Sequence, residues 1–247
     1  MRTAVAAALL SSASLAAAAE QYPQHDRSRP APTIVAPGAA VSTPAPADAV
    51  VLFDGKDLGQ WRSQKEKGAT AAWKVADGAF EVVKGTGGIE TARSFGDCQL
   101  HIEWASPNPA VGTDQDRGNS GVFFMNTYEL QVLDSYQSAT YPDGQAGALY
   151  GQFPPLVNAV RSPGEWNAYD VVFRRPRFDA DGKLLKPARV TAFLNGVLIQ
   201  DAQELLGPTS HKVRTPYSAH ADKLPLSLQD HGHPVRFRNV WIRELPE

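Results

Sequence analysis

The composition of this 247-residue chain already limits what it can be. It has 24 Lys and Arg against 26 Asp and Glu, a formal net charge of −2, and a single cysteine, Cys98. That balance gives no sign of a surface for nucleic acid or an anionic membrane, and one cysteine cannot form an intramolecular disulfide. The fold must therefore be stabilised by burial of a sizeable core.

The N-terminus indicates export. Residues 1–19 combine Arg2 with a short Ala/Leu run and small residues up to Ala19, which predicts a cleavable secretory signal and a periplasmic or extracellular protein. Residues 20–48 are rich in Pro and Ala and have no periodicity, so we expect a disordered, flexible linker. No later apolar stretch is long enough for a membrane span, and residues 49–247 are predicted to form one β-domain.

Two-residue periodicity recurs through this domain. Apolar and polar residues alternate in CQLHIEW (98–104) and NAYDVVF (167–173), whereas SGVFFMN (120–126) is apolar on both faces, as in a central strand. Asn195-Gly196, between two apolar runs, predicts a tight hairpin. With 19 prolines and 20 glycines, these short strands predict an all-β, jelly-roll sandwich of two antiparallel sheets.

The segment YELQVLD (128–134) supplies candidate carboxylates. Glu129 and Gln131 share one face of the predicted strand, and a β-bulge near Leu133 would bring Asp134 to the same face. The spacing resembles the Glu-x-Asp-x-x-Glu strand of retaining sandwich-fold glucanases, but Gln131 replaces the central acid. That replacement argues against an ordinary two-carboxylate retaining mechanism. The competing interpretation is structural: Glu129 would pair with a nearby Arg, and Asp134 would start the turn after the strand.

The segment LPLSLQDHGH (224–233) places short polar side chains on one strand face. Alternation turns its leucines to the core, and Gln229 and, if the strand continues, His231 to the other side. A sugar-binding surface and a solvated face both fit this pattern. Asp230–Gly232 predicts a turn, and His231 with His233 could hold a metal, although no third ligand stands out.

Two other sequences bear on function. Trp166 lies at a predicted junction between loop and strand, where its ring could stack on a sugar. The stretch 118–121 (GNSG) does not match the Gly-x-Ser-x-Gly nucleophile turn and has no alternating helices around it, which argues against a serine hydrolase.

Seven motifs together resemble the 3-keto-disaccharide hydrolase domain family. They are LFDGKDLGQW (52–61), GNSGVFF (118–124), YELQVLD (128–134), GALYGQFPP (147–155), GEWNAYDVVF (164–173), LNGV (194–197) and LQDHGHPVRFRNVWIREL (228–245). The resemblance covers almost all of the chain after residue 48. It implies a concanavalin A-like lectin/glucanase sandwich, usually secreted, that acts on glycosides whose C3 hydroxyl has been oxidised to a ketone.

A ketone at C3 changes the chemistry that the site must perform. It acidifies the C2 hydrogen, so a base can form an enediolate and the oxygen at C1 can leave by elimination; water can then add for net hydrolysis. This reaction needs a base, a donor to the C3 oxyanion and an acid for the leaving group. It needs no nucleophilic carboxylate.

The candidate residues follow from that list of roles. The base is His231, or Glu129 with a pKa raised by burial. Asp134 would orient His231 or act as the acid. The candidates for the oxyanion donor are Arg117, Asn119 and Gln131, and a divalent cation could replace them. The further candidates for substrate binding are Trp166 and Gln229.

Three rival functions stay open. A non-catalytic carbohydrate-binding module on the same fold would bind saccharide without turnover, since fold does not determine function. A retaining endoglucanase would need two carboxylates about 5–5.5 Å apart. An interaction domain tethered by the linker has no positive signal in the sequence.

Overall fold

Antiparallel strands dominate residues 22–39 and 42–247, the residues that the computed structural model describes. The strands are β1 (Thr33–Ile34), β2 (Val50–Phe53), β3 (Trp61–Ser63), β4 (Lys74–Ala76), β5 (Ala79–Glu81), β6 (Ile89–Phe95), β7 (Cys98–Ala105), β8 (Ser120–Phe124), β9 (Tyr128–Val132), β10 (Val157–Asn158), β11 (Asn167–Arg174), β12 (Arg177–Phe178), β13 (Leu184–Lys186), β14 (Arg189–Leu194), β15 (Val197–Glu204), β16 (Leu224–Leu228) and β17 (Arg236–Glu244). A 3-10 helix spans Pro142–Gly144. The predicted signal peptide, residues 1–19, lies outside the described residues.

Two sheets pack against each other. The larger has the order β15-β14-β11-β7-β17-β5-β4, with β2 also beside β17, and the smaller has the order β3-β6-β16-β8-β9. Between them the rings of Phe124 and Phe173 stack with centroids 4.8 Å apart, within a core of almost fully buried side chains. Cys98 is buried in that core as a free thiol. The prediction of an all-β sandwich with antiparallel sheets is confirmed.

The strands that the alternation predicted are present. Segments 98–104, 120–126 and 167–173 overlap β7, β8 and β11, and β8 lies inside the smaller sheet between β16 and β9. Asn195 and Gly196 have φ values of 54° and 79° and join β14 to β15. Both positive values match the tight hairpin turn that an Asn-Gly pair favours.

One face of the smaller sheet turns away from the core. A row of residues in register crosses the sheet there, from β3 through β6, β16 and β8 to β9: Arg62, Glu90, Ser227, Phe123 and Glu129. The adjacent row, in which Leu130, Val122, Leu228 and Ile89 are paired, is buried in the core. This period-2 division places polar side chains together on the outer face.

The stretch that was expected to be a flexible linker instead lies against the sandwich where it is described. Thr33–Ile34 pairs in parallel with Val157–Asn158, and the Thr43 carbonyl accepts a hydrogen bond from Trp241 Nε1 at 3.0 Å. Extended proline-rich backbone keeps its carbonyl oxygens free to accept such hydrogen bonds. A segment with the composition of a linker can therefore still pack against the domain. The domain boundaries themselves stay predictions.

None of the described residues belongs to a helix long and apolar enough to cross a bilayer.

Candidate active site

A cleft of about 350 Å³ opens on the outer face of the smaller sheet. Strands β8 and β9, the segments adjoining β8 and β16, and two loops line it with Asn119, Phe123, Glu129, Gln131, Tyr150, Thr209, Ser210, His211, Gln229 and His231. The cleft thus brings together five of the eight residues predicted from the sequence, which are Asn119, Glu129, Gln131, Gln229 and His231. The other three, Arg117, Asp134 and Trp166, lie elsewhere.

Glu129 is a buried carboxyl in the cleft. Its residue is 5% exposed, and within the described part of the chain no hydrogen bond or ion pair reaches its carboxyl oxygens. Desolvation therefore raises the pKa of Glu129 to about 8, as expected for a carboxyl that loses water and gains no partner. Gly121 makes the room, because a Cβ there would stand 2.4 Å from Glu129 Oε1. Near neutral pH the group is mostly a protonated acid.

His231 stands at the mouth of the same cleft. The residue as a whole is exposed. The protein around its ring nevertheless lowers the pKa of His231, first by desolvation and then by the neighbouring charge of His233, whose ring is stacked on it at 5.7 Å. A lowered pKa leaves the imidazole neutral near neutral pH, which is the form that can accept a proton.

Asp230 builds the turn that presents His231. Its carboxylate accepts the backbone N–H groups of Gly85 at 2.8 Å, Gly87 at 3.0 Å and Gly232 at 2.9 Å. The predicted turn at Asp230–Gly232 is therefore formed, and Asp230 also ties it to the loop between β5 and β6.

The histidine pair has no metal-binding neighbourhood in the described residues. His233 Nε2 lies 3.1 Å from Asp116 Oδ1. Across residues 22–39 and 42–247, no group of three or more His, Cys, Asp or Glu is placed to hold a metal ion.

Asn119 and Gln131 present carbonyl oxygens, rather than N–H groups, as their free polar atoms. Gln131 Nε2 donates to Gln115 Oε1 at 3.0 Å, and Asn119 Nδ2 donates to the Gln115 carbonyl at 2.8 Å. Gln115 cannot be turned round, because its own amide nitrogen donates to the Gly144 carbonyl at 3.0 Å. Asn119 Oδ1 and Gln131 Oε1 are buried without a partner in the described part of the chain. Both amide nitrogens are thus held by Gln115, so neither side chain is the oxyanion donor that was expected.

Loop residues that the sequence did not single out complete the cleft. The Tyr150 hydroxyl lies 2.7 Å from the Tyr141 hydroxyl and 3.1 Å from His211 Nδ1. Desolvation raises the pKa of Tyr150, so its phenol stays a hydrogen-bond donor. Thr209 Oγ1 accepts the backbone N–H of Glu129 at 2.9 Å. Tyr150 falls in the motif 147–155, but no periodicity marks a loop residue that turns into a cleft.

Asp134 does not share the face of Glu129. Strands β8 and β9 pair in uninterrupted register from Ser120 opposite Val132 to Phe124 opposite Tyr128, and Asp134 follows the end of β9. The bulge expected near Leu133 is absent from that ladder. Asp134 is buried against Arg117, with Arg117 Nε 2.8 Å from Asp134 Oδ2, so this ion pair takes both residues out of the cleft.

Trp166 lies on the opposite side of the molecule. The guanidinium carbons of Arg238 and Arg236 stand 4.1 Å and 5.2 Å from its ring centroid. It borders a separate hollow on the larger sheet with Glu103 and Asp170. The predicted stacking of Trp166 on a sugar in the cleft is therefore not supported by its position.

Comparison with known proteins identifies the family. The sequence profile of the 3-keto-alpha-glucoside-1,2-lyase-like domain matches residues 48–243. The chain belongs to this family. A 3-keto-disaccharide hydrolase of Bacteroides thetaiotaomicron is 22% identical over 249 residues, covering 83% of this chain and 82% of that protein. The family resemblance carried by the seven motifs is confirmed.

Solved structures agree with this family assignment. A Parabacteroides distasonis protein whose name assigns it to the glycosyl hydrolases is 45% identical, with a TM-score of 0.78 over 88% of this chain and 93% of that one. A second protein named in the same way from that organism is 23% identical, with a TM-score of 0.57 over 80% of this chain and 99% of the other. At that identity the second likeness concerns the fold alone.

Proposed function

We propose that this protein cleaves the glycosidic bond of 3-keto-glycosides, including 3-keto-disaccharides, by elimination across C1 and C2, with hydration giving net hydrolysis. The observation that carries the proposal is the pairing, in one cleft, of a buried acid with a raised pKa, Glu129, and a histidine with a lowered pKa, His231. Two titratable groups whose environments push their pKa values toward each other's usual range are suited to acid and base roles.

The neutral imidazole of His231 takes the proton from C2, and the electron pair of that C–H bond forms the enediolate with the C3 oxygen. When the carbonyl at C3 re-forms, the C1–O bond breaks and a C1–C2 double bond appears. Glu129 gives its proton to the departing oxygen. The products are an alcohol and an unsaturated 3-keto sugar, and water added across C1 and C2 converts the latter to the free 3-keto sugar.

The remaining cleft residues orient the substrate. The Tyr150 hydroxyl is the donor best placed to stabilise the developing negative charge on the C3 oxygen. Asn119 and Gln131, whose amide nitrogens are held by Gln115, form part of the wall against which the sugar ring packs. Gln229, whose backbone N–H bonds to the Gly121 carbonyl at 3.1 Å, presents its side chain beside them.

The direct test compares one disaccharide in its 3-keto and unoxidised forms, with and without a chelator. We expect cleavage of the oxidised form only, and loss of about 100-fold or more in kcat for Glu129→Gln and for His231→Asn. Trp166→Ala is the matched control, because Trp166 lies outside the cleft. Cleavage of the unoxidised sugar would point to an ordinary glycosidase, and binding without turnover to a carbohydrate-binding module. The chelator arm decides whether a divalent cation takes the oxyanion role.

We also propose that the protein acts outside the cytoplasm. The support is the signal-like sequence at residues 1–19. Cell fractionation together with N-terminal sequencing tests it, with a mature start near Glu20 as the expected result and an intact Met1 in the cytoplasm as the opposite one.

A further inference from the structure

We propose that the N-terminal arm, residues 22–30, positions Tyr150 and His211 in the cleft and so belongs to the working active site. The arm precedes the family domain, which spans residues 48–243. Its kinetic part rests on the function proposed above.

The arm contacts both loops that complete the cleft. Arg29 Nη1 donates to the Gln152 carbonyl at 3.2 Å, and the Gln24 side-chain amide donates to the Ser210 carbonyl. From the other direction, Arg214 donates to the Gly151 carbonyl at 3.3 Å and to the Tyr22 carbonyl at 3.4 Å. Residues close to Tyr150 and to His211 in the chain are thus tied to one short segment.

Gly151 shows how closely the arm approaches. A Cβ at Gly151 would lie 2.2 Å from the Gln24 side-chain nitrogen, so a larger residue there would displace the Gln24 side chain. Gly151 also has φ of +70°, a conformation that glycine adopts without strain.

His25 carries the contact into the cleft. Its ring stacks on Tyr141 with centroids 4.1 Å apart and planes 28° apart, and it lies 5.2 Å from the ring of Tyr150 and 5.5 Å from that of His211. Tyr141 in turn is hydrogen-bonded to Tyr150, and Tyr150 to His211. A continuous set of ring contacts and hydrogen bonds therefore runs from the arm to the Tyr150 phenol that lines the cleft.

The backbone at His25 indicates that these contacts hold it in place. Its φ is +64°, in the left-handed region that side-chain-bearing residues seldom adopt. Its N–H donates to Oδ2 of Asp143, a residue of the 3-10 helix, at 3.0 Å. A strained residue persists where its surroundings determine its conformation, and such residues concentrate at functional sites.

A hydrogen-bond donor that is displaced by about 1 Å from its catalytic position slows the chemical step strongly. We expect such a displacement to affect substrate binding much less. Removing the arm's contacts should therefore lower kcat and leave KM nearly unchanged. If the arm served only as a spacer, substitutions in it would change neither kcat nor KM.

The test uses point variants in the full chain. The double variant Gln24→Ala/His25→Ala removes the amide contact and the stacked ring, His25→Phe keeps the stacking, and Ile34→Ala is the control because that side chain is 73% exposed on β1. For the double variant we expect kcat on a 3-keto-disaccharide to fall about tenfold with KM within about threefold. Backbone amides of residues 148–153 and 207–212 should exchange hydrogen faster, and His25→Phe should recover most of the lost kcat.

Several results would overturn the proposal. The double variant could show the kcat and the hydrogen exchange rates of the wild type. Ile34→Ala could lose as much kcat as the double variant, or His25→Phe could have a kcat as low as that of the double variant. If the wild-type protein does not turn over any 3-keto-glycoside, the proposed function fails. The exchange measurement still decides on the arm, because unchanged exchange in both loops would contradict its positioning role.

Discussion

The buried carboxyl of Glu129 makes the stability of the fold depend on pH in a defined direction. Its pKa rises from the ordinary 4.5 to about 8 in the folded protein. Between those two values the native state holds a proton that the unfolded chain has released, so the free energy of unfolding falls as pH rises and levels off above about pH 8. At about 1.36 kcal/mol per pH unit, Glu129 should remove about 2–3 kcal/mol between pH 6 and pH 9.

Comparison of the wild type with Glu129→Gln isolates this contribution. Glutamine has nearly the same shape as the protonated acid and does not titrate. In urea unfolding experiments the variant should therefore gain about 2–3 kcal/mol relative to the wild type between pH 6 and pH 9. Glu66→Gln, at an exposed position, is the matched control and should follow the wild type at both pH values.

A constant difference would refute the reasoning. If the free energies of unfolding of the wild type and Glu129→Gln differ by the same amount, within about 0.5 kcal/mol, at both pH values, the carboxyl ionises in its ordinary range. Glu129 could then not be the acid that protonates the leaving group at neutral pH. The activity gives an independent reading, because kcat/KM should decline as pH rises above about 8 and Glu129 loses its proton.

Three further predictions concern His231, Asp134 and Asp230. Because the pKa of His231 is lowered from 6.5, kcat/KM should be retained at pH 6.5 and fall only in more acidic solution. A fall centred above pH 6.5 would contradict the role of His231 as the base. Asp134→Ala should lower the free energy of unfolding in urea by about 2–3 kcal/mol, because it leaves the Arg117 charge without its partner. It should change kcat less than about twofold. A large loss of kcat would instead support the catalytic role expected for Asp134. Asp230→Ala should cost about 1–3 kcal/mol and lower kcat, since it releases the turn that carries His231, and unchanged kinetics would show that the turn forms without it.

The sequence was most informative where burial of one strand face imposes a period of two. That constraint is local, so β7, β8 and β11 could be located and Glu129 and Gln131 assigned to one face without knowledge of their neighbours. The raised pKa of Glu129 could also be anticipated, because a carboxyl on a strand face that is covered loses its hydration.

Features that depend on partners distant in sequence could not be predicted. Asp134 turns to Arg117 because that residue, 17 positions earlier, supplies an ion pair, and no alternation pattern contains this information. The orientation of the Gln131 amide is set by Gln115. Tyr150 reaches the cleft through a loop, so its direction depends on what holds the loop in place rather than on a local period.

The number of carboxylates in the cleft distinguishes the two carbohydrate-cleaving mechanisms that the sequence left open. Double displacement requires an ionised nucleophile and a second carboxyl about 5–5.5 Å away. Of the described residues lining the cleft, Glu129 alone has a carboxyl, and burial keeps that group protonated near neutral pH. Asp134, the second candidate from the sequence, forms an ion pair with Arg117 outside the cleft. Elimination from a 3-keto sugar requires neither an anionic nucleophile nor a second carboxylate, because the ketone itself stabilises the negative charge that develops at C2. A protonated acid and a neutral imidazole that line one cleft therefore fit the acid and base roles of elimination and are unsuitable for double displacement.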